Sequence, residues 1–186
     1  MAIRISGGFL RGRKIGSPRS GSGIRPTTDK VKLAVFSVIG LEAVKNKRVL
    51  DLYACSGALG IEALSRGAAT VEFVEKSVRN CKLIQSNVSE MGLKKVSKVF
   101  RDDCMRFVAG AKGGYGLVML DPPFDMKDWE RMMEMIGDKG FVDQFGMVVA
   151  EHRAGVCLKD TYGQMNRSSL KNYGDSQVSF YEVVGG

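Results

Sequence analysis

Val49-Leu-Asp-Leu-Tyr-Ala-Cys-Ser-Gly-Ala-Leu-Gly60 passes without interruption from an apolar run into a turn of small residues. The apolar period then becomes helical, with Leu59, Ala63 and Leu64 on one face. Such a pattern describes a buried parallel strand that feeds a helix through a tight turn. A helix N-terminus reached this way presents N–H groups and the positive end of a dipole. Asp51 lies toward the carboxyl end of the strand, where open α/β sheets bind their ligands. Taken alone, a small-residue turn after a strand is a weak signal. A second strand sharpens it: Thr70-Val-Glu-Phe-Val-Glu75 alternates, is β-branched, and ends 24 residues after Asp51. An acid at the tip of the second strand can accept hydrogen bonds from ribose hydroxyls, so the two strands describe a nucleoside-containing cofactor site.

The rest of the chain continues the alternation of strands and helices. Ser77 to Met91 reads as a helix stopped by Gly92, Val96 to Phe100 as a short strand with Asp102-Asp103 at its carboxyl end, and Cys104 to Ala109 as a short helix. Gly116-Leu-Val-Met-Leu-Asp121 is a fourth buried strand in this count, Met126 to Ile136 a helix, and Met147 to Glu151 a fifth strand. Arg167 to Tyr173 and Gln177 to Val184 alternate around Gly174-Asp-Ser176 and read as an antiparallel hairpin that closes the sheet. Before all this, Ala2 to Ser6 and Phe9 to Ile15 read as a basic hairpin turned at Gly7-Gly8. Gly16 to Gly23 is a Gly/Ser/Pro loop, and Arg25-Pro-Thr-Thr-Asp29 starts a helix that Thr27 or Thr28 can cap. The expected organisation is a basic hairpin and loop over residues 1–24 and an α/β domain over 25–186.

Charge is unevenly placed along the chain. Residues 1–48 hold eleven Lys/Arg against Asp29 and Glu42, whereas the remainder holds 17 against 18 acids. A basic segment beside a neutral domain implies a polyanionic partner. No apolar run reaches the ~20 residues of a membrane span, and Met1 to Ser6 lacks the apolar core of a signal peptide. Cys55, Cys81, Cys104 and Cys157 form no C-x-x-C pair and are expected to be reduced thiols in the cytoplasm. His152 is the only histidine, which argues against a zinc site and histidine-centred catalysis, so no metal is expected.

Asp121-Pro-Pro-Phe124 at a strand end carries the chemistry. Two prolines fix the backbone and remove two N–H donors, leaving the proline carbonyls as acceptors beside the Asp121 carboxylate. An exocyclic amine of a nucleobase has two hydrogens to give, and this arrangement can take both, directing the nitrogen lone pair at an electrophile. Phe124 offers a face on which a flipped-out base can stack.

The order Asp51…Gly57-x-x-Gly60, Glu75, Asp103 and Asp121-Pro122-Pro123-Phe124 resembles a class I S-adenosylmethionine-dependent amino-methyltransferase. More narrowly, the chain resembles the RsmD family, bacterial small-subunit rRNA guanine-N2 methyltransferases. The matching segments also include Arg4-Ile-Ser-Gly7, Arg11-Gly-Arg-Lys14, Arg25 to Asp29, Glu151-His152, Tyr173-Gly-Asp and Ser179-Phe-Tyr181. The resemblance implies an α/β, Rossmann-like fold: a mostly parallel seven-stranded sheet with helices on both faces, the C-terminal antiparallel hairpin, and the small basic N-terminal hairpin as an extension. It implies S-adenosyl-L-methionine as cofactor and S-adenosylhomocysteine as product. Ala54, Cys55, Ser56 and Gly57 would pass under its methionine part, with Tyr53 and Gly60 as further cofactor-binding residues, Asp51 steering the amino group and Arg25 to Thr28 the segment that closes over the carboxylate. Glu75 would hold the ribose, Asp103 beside the small residue Cys104 the adenine amine, with Asp102 the competing candidate, and Asp121 and Phe124 the guanine. Arg4, Arg11, Arg13, Lys14 and Arg25 would grip 16S rRNA phosphates, on free rRNA or an assembled small subunit, with the protein acting as a monomer.

One departure stands out. The family usually reads Phe-Ala-Gly-Ser-Gly where this chain has Tyr53-Ala-Cys-Ser-Gly57, and Cys55 is expected at negative φ because Gly57 and Gly60 remain. Two alternatives follow from the same residues. Related Asn/Asp-Pro-Pro-aromatic tetrads serve adenine N6 in nucleic acids and glutamine in proteins, and a vestigial cofactor site would leave a non-catalytic rRNA-binding assembly protein. The basic N-terminus disfavours a protein substrate, the lack of a separate recognition domain disfavours sequence-specific DNA, and the intact Asp-Pro-Pro-Phe disfavours loss of catalysis.

Overall fold

The computed structural model describes residues 2–18, 29–138 and 140–183. Its centre is β3 (Arg48–Leu52), paired in parallel with β4 (Thr70–Glu75) on one side and β6 (Tyr115–Leu120) on the other. Beyond β4 lies β5 (Ser97–Arg101), preceded by a single 3-10 turn at Lys94–Val96; beyond β6 lies β7 (Val142–Arg153). The last two long strands, β9 (Met165–Tyr173) and β10 (Ser176–Val183), form the hairpin expected from their alternation, with β10 inserted antiparallel between β7 and β9. These seven strands have the order β5-β4-β3-β6-β7-β10-β9, and the two-residue β8 (Thr161–Tyr162) adds an eighth at the edge. The winding direction reverses between β3 and β6, which makes their carboxyl ends the switch point of the sheet.

Alternation along the strands builds two cores. Val49, Leu117 and Met119 face a layer made by α1 (Asp29–Ile39), α2 (Ala58–Ser65) and α3 (Val78–Glu90), through Phe36, Ile61 and Ile84 among others. Leu50, Leu52, Val118 and Leu120 face α4 (Cys104–Gly110) and α5 (Trp129–Gly137), through Val108, Trp129, Met132 and Ile136. Burial on both faces explains why these strands read as continuous apolar runs. Among the described residues no helix is long and apolar enough to cross a membrane.

Three expectations change in detail. The N-terminal strands are short, β1 (Ala2–Arg4) and β2 (Lys14–Gly16), because the intervening donors leave the ladder for α2. Ser6 N–H goes to Glu62 Oε2 at 2.9 Å, Phe9 N–H to Ser65 O at 2.9 Å and Leu10 N–H to Ser65 Oγ at 2.9 Å. The helix expected from Met126 begins at Trp129, since Met126 N–H closes a turn on Pro123 O at 3.0 Å. β7 starts five residues earlier than its apolar run, and pairing with β6 jumps between Tyr115 and Leu117, opposite an irregularity at exposed Phe145, at φ 60, and buried Gly146.

Candidate active site

Register sets the site. Leu52 pairs with Val74 on one side and Leu120 on the other, so Glu75, Tyr53 and Asp121 follow as one row across the carboxyl ends of β4, β3 and β6. Strands lie about 4.8 Å apart, so the flanking acids are roughly 10 Å apart with the turn after β3 between them.

That turn is wound left-handed. Tyr53 has φ 59, Cys55 φ 52 and Gly57 φ 77. The expectation of a negative φ at Cys55 is therefore wrong. Each left-handed L-residue costs roughly 1–2 kcal/mol, and the turn is held against that cost by its N–H partners. Tyr53 N–H meets Cys104 Sγ at 3.3 Å, Ala54 N–H meets Val74 O at 3.1 Å, Cys55 N–H meets Glu75 Oε2 at 2.9 Å, and Gly57 N–H meets Ala54 O at 2.6 Å. Gly60 answers to packing: a Cβ there would lie 2.3 Å from the Phe73 ring. Its N–H donates to Asp51 Oδ2 at 2.9 Å. Asp51 is 1% exposed. Burial raises its carboxyl well above the usual range against the lowering effect of the Gly60 bond, and nearby Asp121 and Glu75 raise it further. Burial, then Glu75, Asp121 and Asp51, push the Cys55 thiol up to about 12, so it is un-ionised at neutral pH.

Each Glu75 oxygen takes one backbone N–H, Oε2 from Cys55 at 2.9 Å and Oε1 from Ser77 at 2.7 Å. A carboxylate oxygen has two acceptor sites, so both retain capacity for a diol. Asp103, at the end of β5, caps α4 by accepting from Met105 N–H at 3.0 Å and Arg106 N–H at 3.3 Å through Oδ1. Asp102 is committed to Arg106, whose hydrogen bond lowers its carboxyl pKa. Cys104 is buried behind the turn, holding Tyr53. The Tyr53 phenol is raised by burial first and then by Cys104, Asp103 and Asp128.

On the other side of the turn Asp121 is half-buried, Pro122 buried, and Pro123 and Phe124 exposed. The expectation that both proline carbonyls stay fully open changes in part, because Pro123 O accepts from Met126 N–H at 3.0 Å and has one of its two acceptor sites taken. Asp121 and the Pro122 carbonyl are the other acceptor groups of the tetrad, with Phe124, 38% exposed, three residues after Asp121. Arg4, Arg11, Arg13 and Lys14 are exposed on the N-terminal hairpin. Thr28 and Arg25 lie outside the described residues.

Sequence reading passed over Asn87. This α3 amide is 1% exposed. Its Oδ1 accepts Gly16 N–H at 2.8 Å, and its Nδ2 donates to Gly16 O at 3.0 Å and Ser56 O at 2.9 Å. It clips the end of β2 to the left-handed turn. The available signal was an Asn on the buried helical face shared by Asn80, Ile84 and Val88.

The family described as conserved hypothetical protein 95, the RsmD family, matches residues 3–182. The chain belongs to it. The Bacillus subtilis family relative YlbH is 34% identical over 186 residues, 98% of this chain and all of that one. Ribosomal RNA small subunit methyltransferase D of Escherichia coli K12 is 33% identical over 149 residues, 80% of this chain and 74% of that one. Among solved structures, Escherichia coli yhhF superposes over the whole of both chains with a TM-score of 0.88 and 27% identity. An RNA methyltransferase of Salinibacter ruber, in complex with S-adenosyl-L-homocysteine, shares the fold at a TM-score of 0.61 and 16% identity, covering 87% of this chain and 95% of that one. The family fold is thus the α/β, mostly parallel sheet of the methyltransferases, with its antiparallel C-terminal hairpin.

Proposed function

We propose that this protein transfers a methyl group from S-adenosyl-L-methionine to the exocyclic N2 amine of a guanine in 16S rRNA. The observation that carries the reading is the row of Glu75, Tyr53 and Asp121 at the switch point, two carboxylates on opposite sides of one turn that suit a diol and an amine. Family membership and the names of the relatives support SAM-dependent rRNA methylation. Guanine N2 is the finer assignment, and rests on Asp121-Pro-Pro-Phe.

The residues fit the cofactor. Glu75 is oriented by the Cys55 and Ser77 N–H groups with acceptor capacity to spare. When bound, S-adenosyl-L-methionine supplies an electrophilic methyl group and departs as S-adenosylhomocysteine. Glu75 would hold the ribose hydroxyls, Asp103 the adenine amine, Asp51 the amino group, and Thr28 the carboxylate. Residues 53–57 would form the floor beneath the methionine chain. Asp121 and the Pro122 carbonyl accept the two N2 hydrogens and orient the lone pair, Phe124 stacks on the base, and Asp121 takes the released proton. Preset acceptors of this kind contribute through positioning and electrostatics, without a covalent enzyme intermediate. Arg4, Arg11, Arg13, Lys14 and Arg25 hold rRNA phosphates, and the protein acts as a monomer.

Mass-spectrometric nucleoside analysis of 16S rRNA incubated with protein and S-adenosyl-L-methionine tests the reading. N2-methylguanosine is expected, together with loss of at least about 100-fold in turnover for Asp121→Ala at nearly unchanged S-adenosylhomocysteine affinity. Methylation at adenine N6 instead, or no methylation, would overturn it.

A further inference from the structure

We propose that Phe9 is a stacking platform for an unpaired rRNA base distinct from the target guanine; the inference rests on the rRNA reading above. The Phe9 ring is 70% exposed, although Ile5, at 0%, and Leu10, at 4%, are buried in the same short segment. The ring is outward because the backbone beneath it is fixed. Phe9 N–H donates to Ser65 O at 2.9 Å, Leu10 N–H to Ser65 Oγ at 2.9 Å, and Ser65 Oγ donates to Gly7 O at 2.6 Å. Gly8, at φ 73, lies so close to α2 that a Cβ would meet Ser65 O at 1.7 Å. An aromatic face on a rigid turn loses little conformational freedom when something stacks on it.

The surroundings choose the occupant. Residues 2–18 contain Arg4, Arg11, Arg13 and Lys14 and no Asp or Glu, and all four cations are exposed. Arg4 Nη1 donates to Gly12 O at 3.2 Å, which lays its guanidinium along the hairpin, and Arg13 Nη2 donates to Glu90 O at 3.1 Å at the end of α3. A lone aromatic face among cations matches a single-stranded nucleic acid, whose bases stack while its phosphates meet the charges. Distance makes this base a different one from the target. The Ser65 contact is at the far end of α2 from the left-handed turn, and eight residues of helix span about 12 Å.

The test measures binding of an unmodified 16S rRNA transcript across a salt series, with melting temperatures as a check on folding. Phe9→Ala is expected to weaken binding about 5- to 100-fold with an unchanged slope of log affinity against log salt. Arg11→Ala should lower that slope, because a phosphate contact releases counterions. Phe9→Trp should retain affinity, and its emission, distinct from that of buried Trp129, should be quenched by RNA. Wild-type affinity in Phe9→Ala, or an unquenched Trp, with Arg11→Ala still altering the slope, overturns the stacking role alone. If neither substitution changes RNA binding, the hairpin does not meet rRNA and the broader reading of this segment fails with it. Quenching by an acidic protein but not by RNA would likewise overturn the proposal.

Discussion

The backbone N–H of Cys55 reaches across from β3 to the carboxylate of Glu75 on β4 at 2.9 Å, and Cys55 adopts φ 52 to do so. The strained residue and the oriented acid are two halves of one arrangement. Cys55→Gly keeps the N–H and removes the steric cost, so its melting temperature should not fall. Cys55→Val, β-branched, should destabilise the protein by about 1–2 kcal/mol and weaken S-adenosylhomocysteine binding measured by calorimetry. A valine variant as stable as the parent would contradict the left-handed assignment.

Asn87 should matter to the turn without touching a substrate. Truncation to alanine strips partners from Gly16 N–H and O and from Ser56 O. Unsatisfied buried groups cost about 1–3 kcal/mol each. The unfolding free energy of Asn87→Ala from urea denaturation is expected to drop by at least one such increment, lowering the midpoint, with weaker S-adenosylhomocysteine binding alongside. An unchanged midpoint would mean that the clip carries no energy.

Glu62 joins the N-terminal hairpin to two helices. Fully buried, it accepts from Ser6 Oγ at 2.7 Å and Arg66 Nε at 3.0 Å, and lies 3.5 Å from buried Lys32. Removing one member of a buried ion pair costs about 3–5 kcal/mol. Glu62→Ala should lose that much in chemical denaturation, and Lys32→Met in the same chain should recover part of it. Additive losses would show that the two charges are not coupled.

Asp51 predicts a pH dependence whose sign follows from its raised carboxyl. The folded state holds the proton more tightly than the unfolded chain, whose ordinary value is 3.8. The associated stability is complete below that value and is lost as pH rises through the folded one. At neutral pH Asp51→Asn, which keeps an oxygen for Gly60 N–H, should therefore melt higher than the parent. The gap should close as pH falls toward 3.8, while cofactor affinity drops at neutral pH. A variant that melts lower at pH 7 would sink this account.

Much of the fold could be read along the chain because its signals are local. The apolar runs at Val49 and Leu117 and the alternation after Arg167 report burial on two faces or one. The acids at 75 and 121 end strands whose register then aligns them. Other features depended on partners far away in the chain. Cys55 looked free to take an ordinary conformation until Glu75, twenty residues later, offered its carboxylate. Pro123 looked like an open acceptor until Met126 turned back onto it. The residues after Arg4 looked like a strand, yet Glu62 and Ser65 took their donors.

By itself, then, the order of amino acids determined the strand and helix types, the parallel character of the central sheet and the family, since periodicity and short motifs are properties of neighbouring residues. Only the tertiary structure decided the handedness of the turn at Cys55, the clip at Asn87 and the outward face of Phe9. Each of these is set by hydrogen bonds between segments twenty or more residues apart, and such a bond forms only after the sheet has brought its two ends together.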